Sequence, residues 1–195
     1  MYLILRDILP ATTVSQAKDL LTHVQWNDGK ATAGDQAKQV KMNLQLPHED
    51  AVATKIRELI LNGLNESSLF FSAALPRKIF PPRVNRYDPK HPTYGWHIDS
   101  AVMSRPSVGL TVRTDISCTV FLSDPDEYDG GELTVRDRDV QHKVKLPAGS
   151  AVLYSGNTLH QVSPVTRGAR HASFFWIESM VRSDEQRRIL FDLDM

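Results

Sequence analysis

The residues best suited to chemistry stand in two segments. The first is Thr93-Tyr94-Gly95-Trp96-His97-Ile98-Asp99. Side chains two apart on a strand project from one face, so an extended backbone here presents His97 and Asp99 together and turns Trp96 and Ile98 away. A neutral nitrogen donor beside a carboxylate is two thirds of a facial two-histidine, one-carboxylate iron site. A surface His–Asp hydrogen bond has the same spelling, so the pair alone decides nothing. The second segment, Ser155 to Arg170, carries His160 and Arg170. Pro164 and Gly168 bracket a turn about Val165, with His160 and Arg170 each five residues from its midpoint, which predicts the two as near-opposite neighbours across a hairpin. Arg170 then opens an alternating run, with Arg170, Ala172, Phe174 and Trp176 on one face and His171, Ser173, Phe175 and Ile177 on the other. A guanidinium sharing its face with aromatic rings is costly to bury without an anion. Its planar fork of donors suits a bidentate carboxylate. The competing partner is a protein acid such as Glu178.

Strands are needed to position these groups. From Leu69 onward, short apolar runs are divided by Pro, Gly and Asp, and strands are expected near 69–74, 82–88, 93–102, 114–123, 131–137, 141–147, 150–155, 158–163 and 170–179. Many short strands with turn signals at this spacing indicate a sandwich or barrel. Upstream the pattern is helical. Thr13 and Gln16 fit a capping box, followed by Val14, Ala17, Leu20, Leu21 and Val24 at helical spacing and a turn at Trp26-Asn27-Asp28-Gly29. A second stripe, Val52, Ile56, Leu59, Ile60 and Leu64, opens after Pro47 with Glu49 and Asp50 in its first turn and closes at Asn62-Gly63. Residues 30–45 between them are polar and offer no pattern. A final helix is capped at Ser183, with Gln186 three residues on, and carries Ile189, Leu190 and Leu193. The chain stops at Met195 inside that pattern, so a further tail is expected. The segment 103–113, with Pro106 and Gly109, reads as a mobile loop, either a cover for a substrate or merely a long connection.

Composition narrows the function. The 23 Lys+Arg and 23 Asp+Glu residues cancel to a formal net charge of zero. That leaves no excess of positive charge for a phosphate backbone or an anionic membrane surface, so neither nucleic acid nor membrane is expected as a partner. With 195 residues, 41% hydrophobic and 24% charged, the chain has the make-up of one globular domain. Cys118 stands alone, which excludes an intrachain disulfide and a cysteine zinc site, and it reads as a buried strand thiol. Arg6 and Asp7 interrupt the N-terminal apolar run before a secretory core of ~7–15 residues is reached, so a cytoplasmic location is expected. Asp124, Asp126, Glu127 and Asp129 lack the spacing of a calcium loop and read as a solvated turn. Arg77, Lys78, Arg83 and Arg86 form a basic stretch, either a solvated edge or a guide for an acidic substrate.

The segments together spell His-x-Asp, a gap of 61 residues from Asp99 to His160, and an arginine ten residues further on. This order resembles the Fe(II)- and 2-oxoglutarate-dependent dioxygenases of the prolyl 4-hydroxylase-like branch, and within it the bacterial PKHD-type hydroxylase family. The resemblance extends over nearly the whole chain and includes Asn85-Arg86-Tyr87, Tyr94-Gly95-Trp96-His97-Ile98-Asp99, Phe121-Leu122-Ser123-Asp124-Pro125, Tyr128-Asp129-Gly130-Gly131-Glu132-Leu133 and Pro164-Val165-Thr166-Arg167-Gly168. It implies an α+β, mainly β, single domain over 1–195. Within it lie a helical buttress over 1–66, a double-stranded β-helix (jelly-roll) core over 67–180 and the start of a C-terminal helix over 181–195. It further implies that His97, Asp99 and His160 ligate Fe(II), that Arg170 binds the distal carboxylate of 2-oxoglutarate, and that Tyr87 lies near that cosubstrate. Trp176 is expected to wall the pocket, although plain core packing accounts for both Tyr87 and Trp176. The implied reaction hydroxylates a substrate while 2-oxoglutarate and O2 become succinate and CO2, with L-ascorbate returning oxidised iron to Fe(II). Two other readings stay open: a cupin-like metal enzyme without a keto acid, which has no need of Arg170, and a non-catalytic iron/2-oxoglutarate sensing module. One fold serves many molecules, so the substrate, a peptidyl residue or a small molecule, is left open, as is the oligomeric state.

Overall fold

The structure is a computed structural model describing residues 1–32, 34–137 and 139–195. Its elements begin with β1 (Tyr2–Leu5), α1 (Ala11–Leu20), β2 (Asn27–Asp28), α2 (Asp35–Val40), β3 (Lys41–Met42), β4 (Leu44–Gln45), α3 (Ala51–Asn65) and α4 (Ser68–Ala74). The strand-rich part follows as β5 (Pro76–Ile79), β6 (Arg83–Tyr87), β7 (Thr93–His97), β8 (Val102–Arg105), β9 (Leu110–Arg113), β10 (Ile116–Phe121), β11 (Tyr128–Gly130), β12 (Leu133–Asp137) and β13 (Val140–Val144). Last come β14 (Ala151–Ser155), β15 (Leu159–Val162), β16 (Val165–Gly168), β17 (Arg170–Ser179) and α5 (Asp184–Asp194).

Antiparallel pairing assembles a major sheet in the order β1-β14-β10-β17-β6-β4-β2, with β5 also on β17, and a minor sheet in the order β13-β12-β15-β7-β3. The alternation of side chains along the central strands gives each sheet two jobs. On β10, β14 and β17, the residues Cys118, Val120, Leu153, Phe175 and Ile177 face the helices, where they meet Ile56, Ile60 and Leu64 of α3 and Phe70 of α4. Each fully buried aliphatic of this kind contributes roughly 1.5–3 kcal/mol over its exposed state. The intervening residues Phe121, Val152 and Tyr154 turn inward and pack on Leu133, Val135 and Val162 of the minor sheet. A jelly roll closed by helices on one face is the result, as the sequence implied. The site lies between its sheets.

The helices depart from the sequence reading in their boundaries. The segment expected as a strand at 69–74 is α4: Phe70, Ala73 and Ala74 are buried at helical spacing, Phe71 points to solvent, and the Ser67 hydroxyl accepts from the Phe70 amide at 3.1 Å. A short apolar run does not distinguish strand from helix by periodicity, and the cap decides. No capping box forms at Thr13, because α1 already starts after Pro10, whose missing N–H costs nothing at a helix start. Helix α1 stops at Leu20, short of Val24. Asp50 is the cap of α3 rather than part of its first turn, accepting from the amides of Val52 at 2.7 Å and Ala53 at 3.2 Å. The helix also continues through Asn62-Gly63 to Asn65. Gly63 is there because a Cβ would lie 2.4 Å from the Ile8 carbonyl oxygen, a close approach rather than a stop. The Ser183 cap of α5 stands as expected, accepting from the Gln186 amide at 3.3 Å.

Residues 1–66 are not purely helical either. They supply β1 to the edge of the major sheet against β14, β2 and β4 to its other side, and β3 to the minor sheet against β7. Segment 103–113 is not an open loop but the greater part of the β8–β9 hairpin, turned at Gly109 with φ +62°. In the acidic turn, Asp124 and Glu127 hold Lys18, and Asp129 holds Arg167.

Candidate active site

Strand β7 delivers His97 at its last residue, and Asp99 follows two residues beyond. Strand β15 lies beside β7, and the register sets His160 directly across from His97. The two rings are held by one local device. Each Nδ1 donates to a carbonyl two residues earlier in its own chain, His97 to Gly95 at 2.7 Å and His160 to Thr158 at 2.9 Å. A ring with its N–H committed at Nδ1 presents a lone pair at Nε2. Those two nitrogens lie 3.9 and 3.8 Å from the two oxygens of Asp99, too far for hydrogen bonds and suited to three donors around one cation. All three donor atoms fall within 4.8 Å of one another. Asp99 is oriented from the opposite sheet, where Ser117 Oγ on β10 donates to its Oδ2 at 2.8 Å. Burial and the adjacent His160 push the His97 pKa well below its ordinary range, outweighing Asp99, so its imidazole stays neutral and able to ligate.

Arg170 lies in the same cavity but not where the turn arithmetic put it. It is the first residue of β17, in the major sheet, whereas His160 is in the minor sheet. The intervening residues form β16, which pairs with β11 instead of making a hairpin with β15. The ladder partner of Arg170 is Tyr87 on β6. Its guanidinium carbon sits 5.4 Å from the Tyr87 ring and 5.1 Å from that of Phe121. Although the residue is only 1% exposed, none of its three guanidinium nitrogens has a hydrogen-bond partner. Glu178, the competing acid, is taken by Arg77 and by the Arg113 amide. Gly131, with φ +66°, closes the β11 turn over the arginine; a Cβ there would press on its Cδ at 3.1 Å and on Tyr128 at 2.9 Å. Tyr87 and Trp176 both line the cavity, as does Phe174 between Arg170 and Trp176 on the inward face of β17.

Sequence reasoning passed over a second group. Lys41, Asn43 and Gln45 are buried and line the cavity. Their signal was an alternation in the segment set aside as featureless: polar Lys41, Asn43 and Gln45 interleave with Val40, Met42 and Leu44. The amphipathicity is inverted, since Lys41 is 3% exposed and Met42 47%. Lys41 Nζ lies 5.0 Å from the Tyr94 ring centroid, and Tyr94 stacks on His97 with centroids 3.5 Å apart. Burial, with Arg83 adding to it, brings the Lys41 pKa down to about 8. Tyr154, whose ring centroid is 5.0 Å from that of His160, has its phenol pushed well up by burial and by Asp99.

Residues 82–178, which carry every one of these groups except the segment 41–45, match the family model of the 2OG-Fe(II) oxygenase superfamily. A PKHD-type hydroxylase of Polaromonas sp. is 55% identical over 195 residues, covering 100% of this chain and 86% of its own length. The chain belongs to the PKHD-type hydroxylase family. A second member, from Xanthomonas campestris, is 51% identical over 197 residues with the same coverage. The fold is shared with a Pseudomonas putida prolyl-4-hydroxylase at a TM-score of 0.60 and 20% identity, covering 91% of this chain and 92% of that one. A collagen prolyl hydroxylase from a Chlorella virus, solved with 2-oxoglutarate, gives 0.57 and 18%, covering 92% and 96%. Membership makes the protein an Fe(II)- and 2-oxoglutarate-dependent dioxygenase, an oxidoreductase, with O2 as the other cosubstrate. That sets aside the cupin-like and sensing alternatives. The residues present fit those groups. Two imidazole nitrogens and a carboxylate lie within 4.8 Å of one another, a donor set suited to Fe(II), and a buried guanidinium that could pair with a carboxylate lines the same cavity.

Proposed function

We propose that His97, Asp99 and His160 hold the Fe(II), and that Arg170, stacked beside Tyr87, binds the distal carboxylate of 2-oxoglutarate. Trp176 walls the substrate end. One observation carries the reading: the Arg170 guanidinium is buried, unbonded and lined up in one cavity with the three donors. Fe(II) held there supplies, with 2-oxoglutarate and O2, the oxidising power that hydroxylates a substrate carbon as the keto acid leaves as succinate and CO2.

The chain's own residues do the positioning. The Gly95 and Thr158 carbonyls fix the ring orientation of both histidines, and Ser117 fixes that of the carboxylate. Arg170 fixes which end of the keto acid points inward, because a bidentate fork holds a carboxylate in one plane. Tyr154, Phe174 and Trp176 exclude water around the donors. The substrate is a peptidyl residue or a small molecule, and L-ascorbate serves to restore oxidised iron. No helix among the described residues is long and apolar enough to cross a membrane. The enzyme is read as cytoplasmic, with neither membrane nor nucleic acid as a partner, in keeping with its zero net charge.

The test is anaerobic. Fe(II) followed by 2-oxoglutarate should give the weak visible charge-transfer band of the chelate in the wild-type protein and none in Arg170→Ala. Iron binding without a band in the wild type would overturn the assignment of Arg170.

A further inference from the structure

Of the four basic residues in the stretch 77–86, the fold satisfies three. Arg77 pairs with Glu178 at 3.5 Å, Lys78 donates to the Thr111 carbonyl at 3.1 Å, and Arg86 pairs with Asp88 at 3.1 Å. Arg83 makes no salt bridge among the described residues. Its Nε is buried without an acceptor, and its guanidinium carbon rests 5.4 Å from the Phe80 ring. The guanidiniums of Arg105 and Arg57 repel it, as does the Lys41 ammonium. The nearby acid Glu49 is bonded to Arg105. Arg57 is spent on the His48 ring and on the carbonyls of His48 and Pro82.

Position gives this charge a purpose. Arg83, Asn85 and Tyr87 alternate along β6 and share its inward face, and the latter two line the cavity. The ladder with β17 sets Tyr87 against Arg170 at the inner end and Arg83 against Phe174, four residues along, toward Trp176. Lys41 brings another positive charge to the same ring, with Nζ 6.0 Å from the Phe174 centroid. Positive charge therefore stands at two places: Arg170 inside the cavity, assigned to the keto acid, and Arg83 beside the lining residue Phe174, which Lys41 also approaches. Repelling guanidiniums held together in a half-buried site are stabilised by an oxyanion bridging them.

We propose that the substrate of this dioxygenase carries an oxyanion, a carboxylate or a phosphate, and that Arg83 is the substrate-binding residue that holds it beside Phe174. This rests on the dioxygenase reading of the cavity given above. A neutral amino acid side chain in a peptide lacking acidic groups would leave Arg83 as it is.

The experiment uses full-length protein loaded with Mn(II) and saturated with 2-oxoglutarate under nitrogen, so that Arg170 is occupied. Tricarballylate, its neutral triamide and inorganic phosphate are titrated calorimetrically. Saturable binding of tricarballylate or of phosphate, with none by the triamide, is expected, and the anion that binds names the group. Arg83→Gln should weaken that binding roughly tenfold or more, the loss of a charged hydrogen-bond pair. Arg83→Lys should keep most of it, and both variants should bind 2-oxoglutarate as the wild type does. Absence of saturable anion binding by the wild type, equal binding of the triamide, or unchanged affinity in Arg83→Gln would each overturn the proposal. A 2-oxoglutarate titration run before these separates the two readings. If it fails while tricarballylate still binds in an Arg83-dependent way, the keto-acid reading falls and the anion site stands.

Discussion

His97 and His160 are cross-strand partners on β7 and β15, with their ring centroids 4.2 Å apart. The register of one strand pair thus sets the spacing of two of the three proposed metal donors, and a slip of one residue would send one imidazole to the far face. Because each ring is anchored to its own strand, loss of one leaves the other in place but short of a partner. His97→Ala and His160→Ala should each abolish stoichiometric Fe(II) binding in an anaerobic titration. Full retention of metal by both variants would refute the ligand assignment.

Asp99 lies beyond the end of β7 and depends on the opposite sheet for its orientation. The Ser117 hydroxyl is its donor. Removing it in Ser117→Ala should lower metal affinity about 10- to 100-fold, the usual effect of losing an outer partner of a ligand. Competition against a metal-binding dye measures this. An affinity equal to the wild type would show that the carboxylate is held by strand geometry alone.

Arg170 is 1% exposed between the rings of Tyr87 and Phe121, a burial that costs a charged side chain its hydration. Arg170→Met fills the same space without a charge. The metal-free variant should be more stable than the wild type by about 1 kcal/mol or more in urea, while its affinity for 2-oxoglutarate in the metal-loaded protein falls by about 3 kcal/mol. A variant that is less stable would mean the guanidinium is already compensated.

His171, on the opposite face of β17 from the site, gives the fold an acid sensitivity. Burial, then Arg86 and Arg170, hold its pKa near about 4 against the pull of Glu127 and Asp88. Its Nδ1 lies 3.3 Å from Ser123 Oγ, and its ring stacks on Trp26. The unfolded chain takes up a proton as pH falls through about 6.5, and the folded protein does so only near 4. Stability is therefore full above the unfolded value and is lost between the two, by up to ~3 kcal/mol from this group. His48, with its pKa also lowered to about 4, shifts in the same direction. Urea unfolding at pH 7 and pH 5 should show the decline, and His171→Gln should make it shallower. An identical slope in the variant would remove His171 from the account.

The chemistry of the protein was legible from residue types and order. His97 and Asp99 two apart, His160 downstream and Arg170 ten residues on were the candidates for a donor set and an anion binder, and the structure brings all four to one cavity; the alternation along 170–176 placed Arg170, Phe174 and Trp176 on one face correctly. These are local properties, fixed by the period of an extended backbone. The strand-rich core was legible for the same reason, while the four strands inside the N-terminal segment read as a helical buttress were not.

Which strands lie beside which was decided only by the tertiary structure. Nothing local distinguishes a hairpin at Val165 from a crossing between sheets, so His160 and Arg170 were expected on neighbouring strands and stand instead on facing sheets, paired with His97 and Tyr87. Helix α4 was read as a strand because a run of six apolar or small residues fits either period until Ser67 caps it. Lys41, Asn43 and Gln45 were missed because they invert the ordinary rule: polar side chains are buried where a cavity, rather than a core, lies behind the strand. Sequence determined the candidate donors, since the capacity to ligate depends on side-chain chemistry. Structure decided their company, since burial and pairing depend on residues far away along the chain.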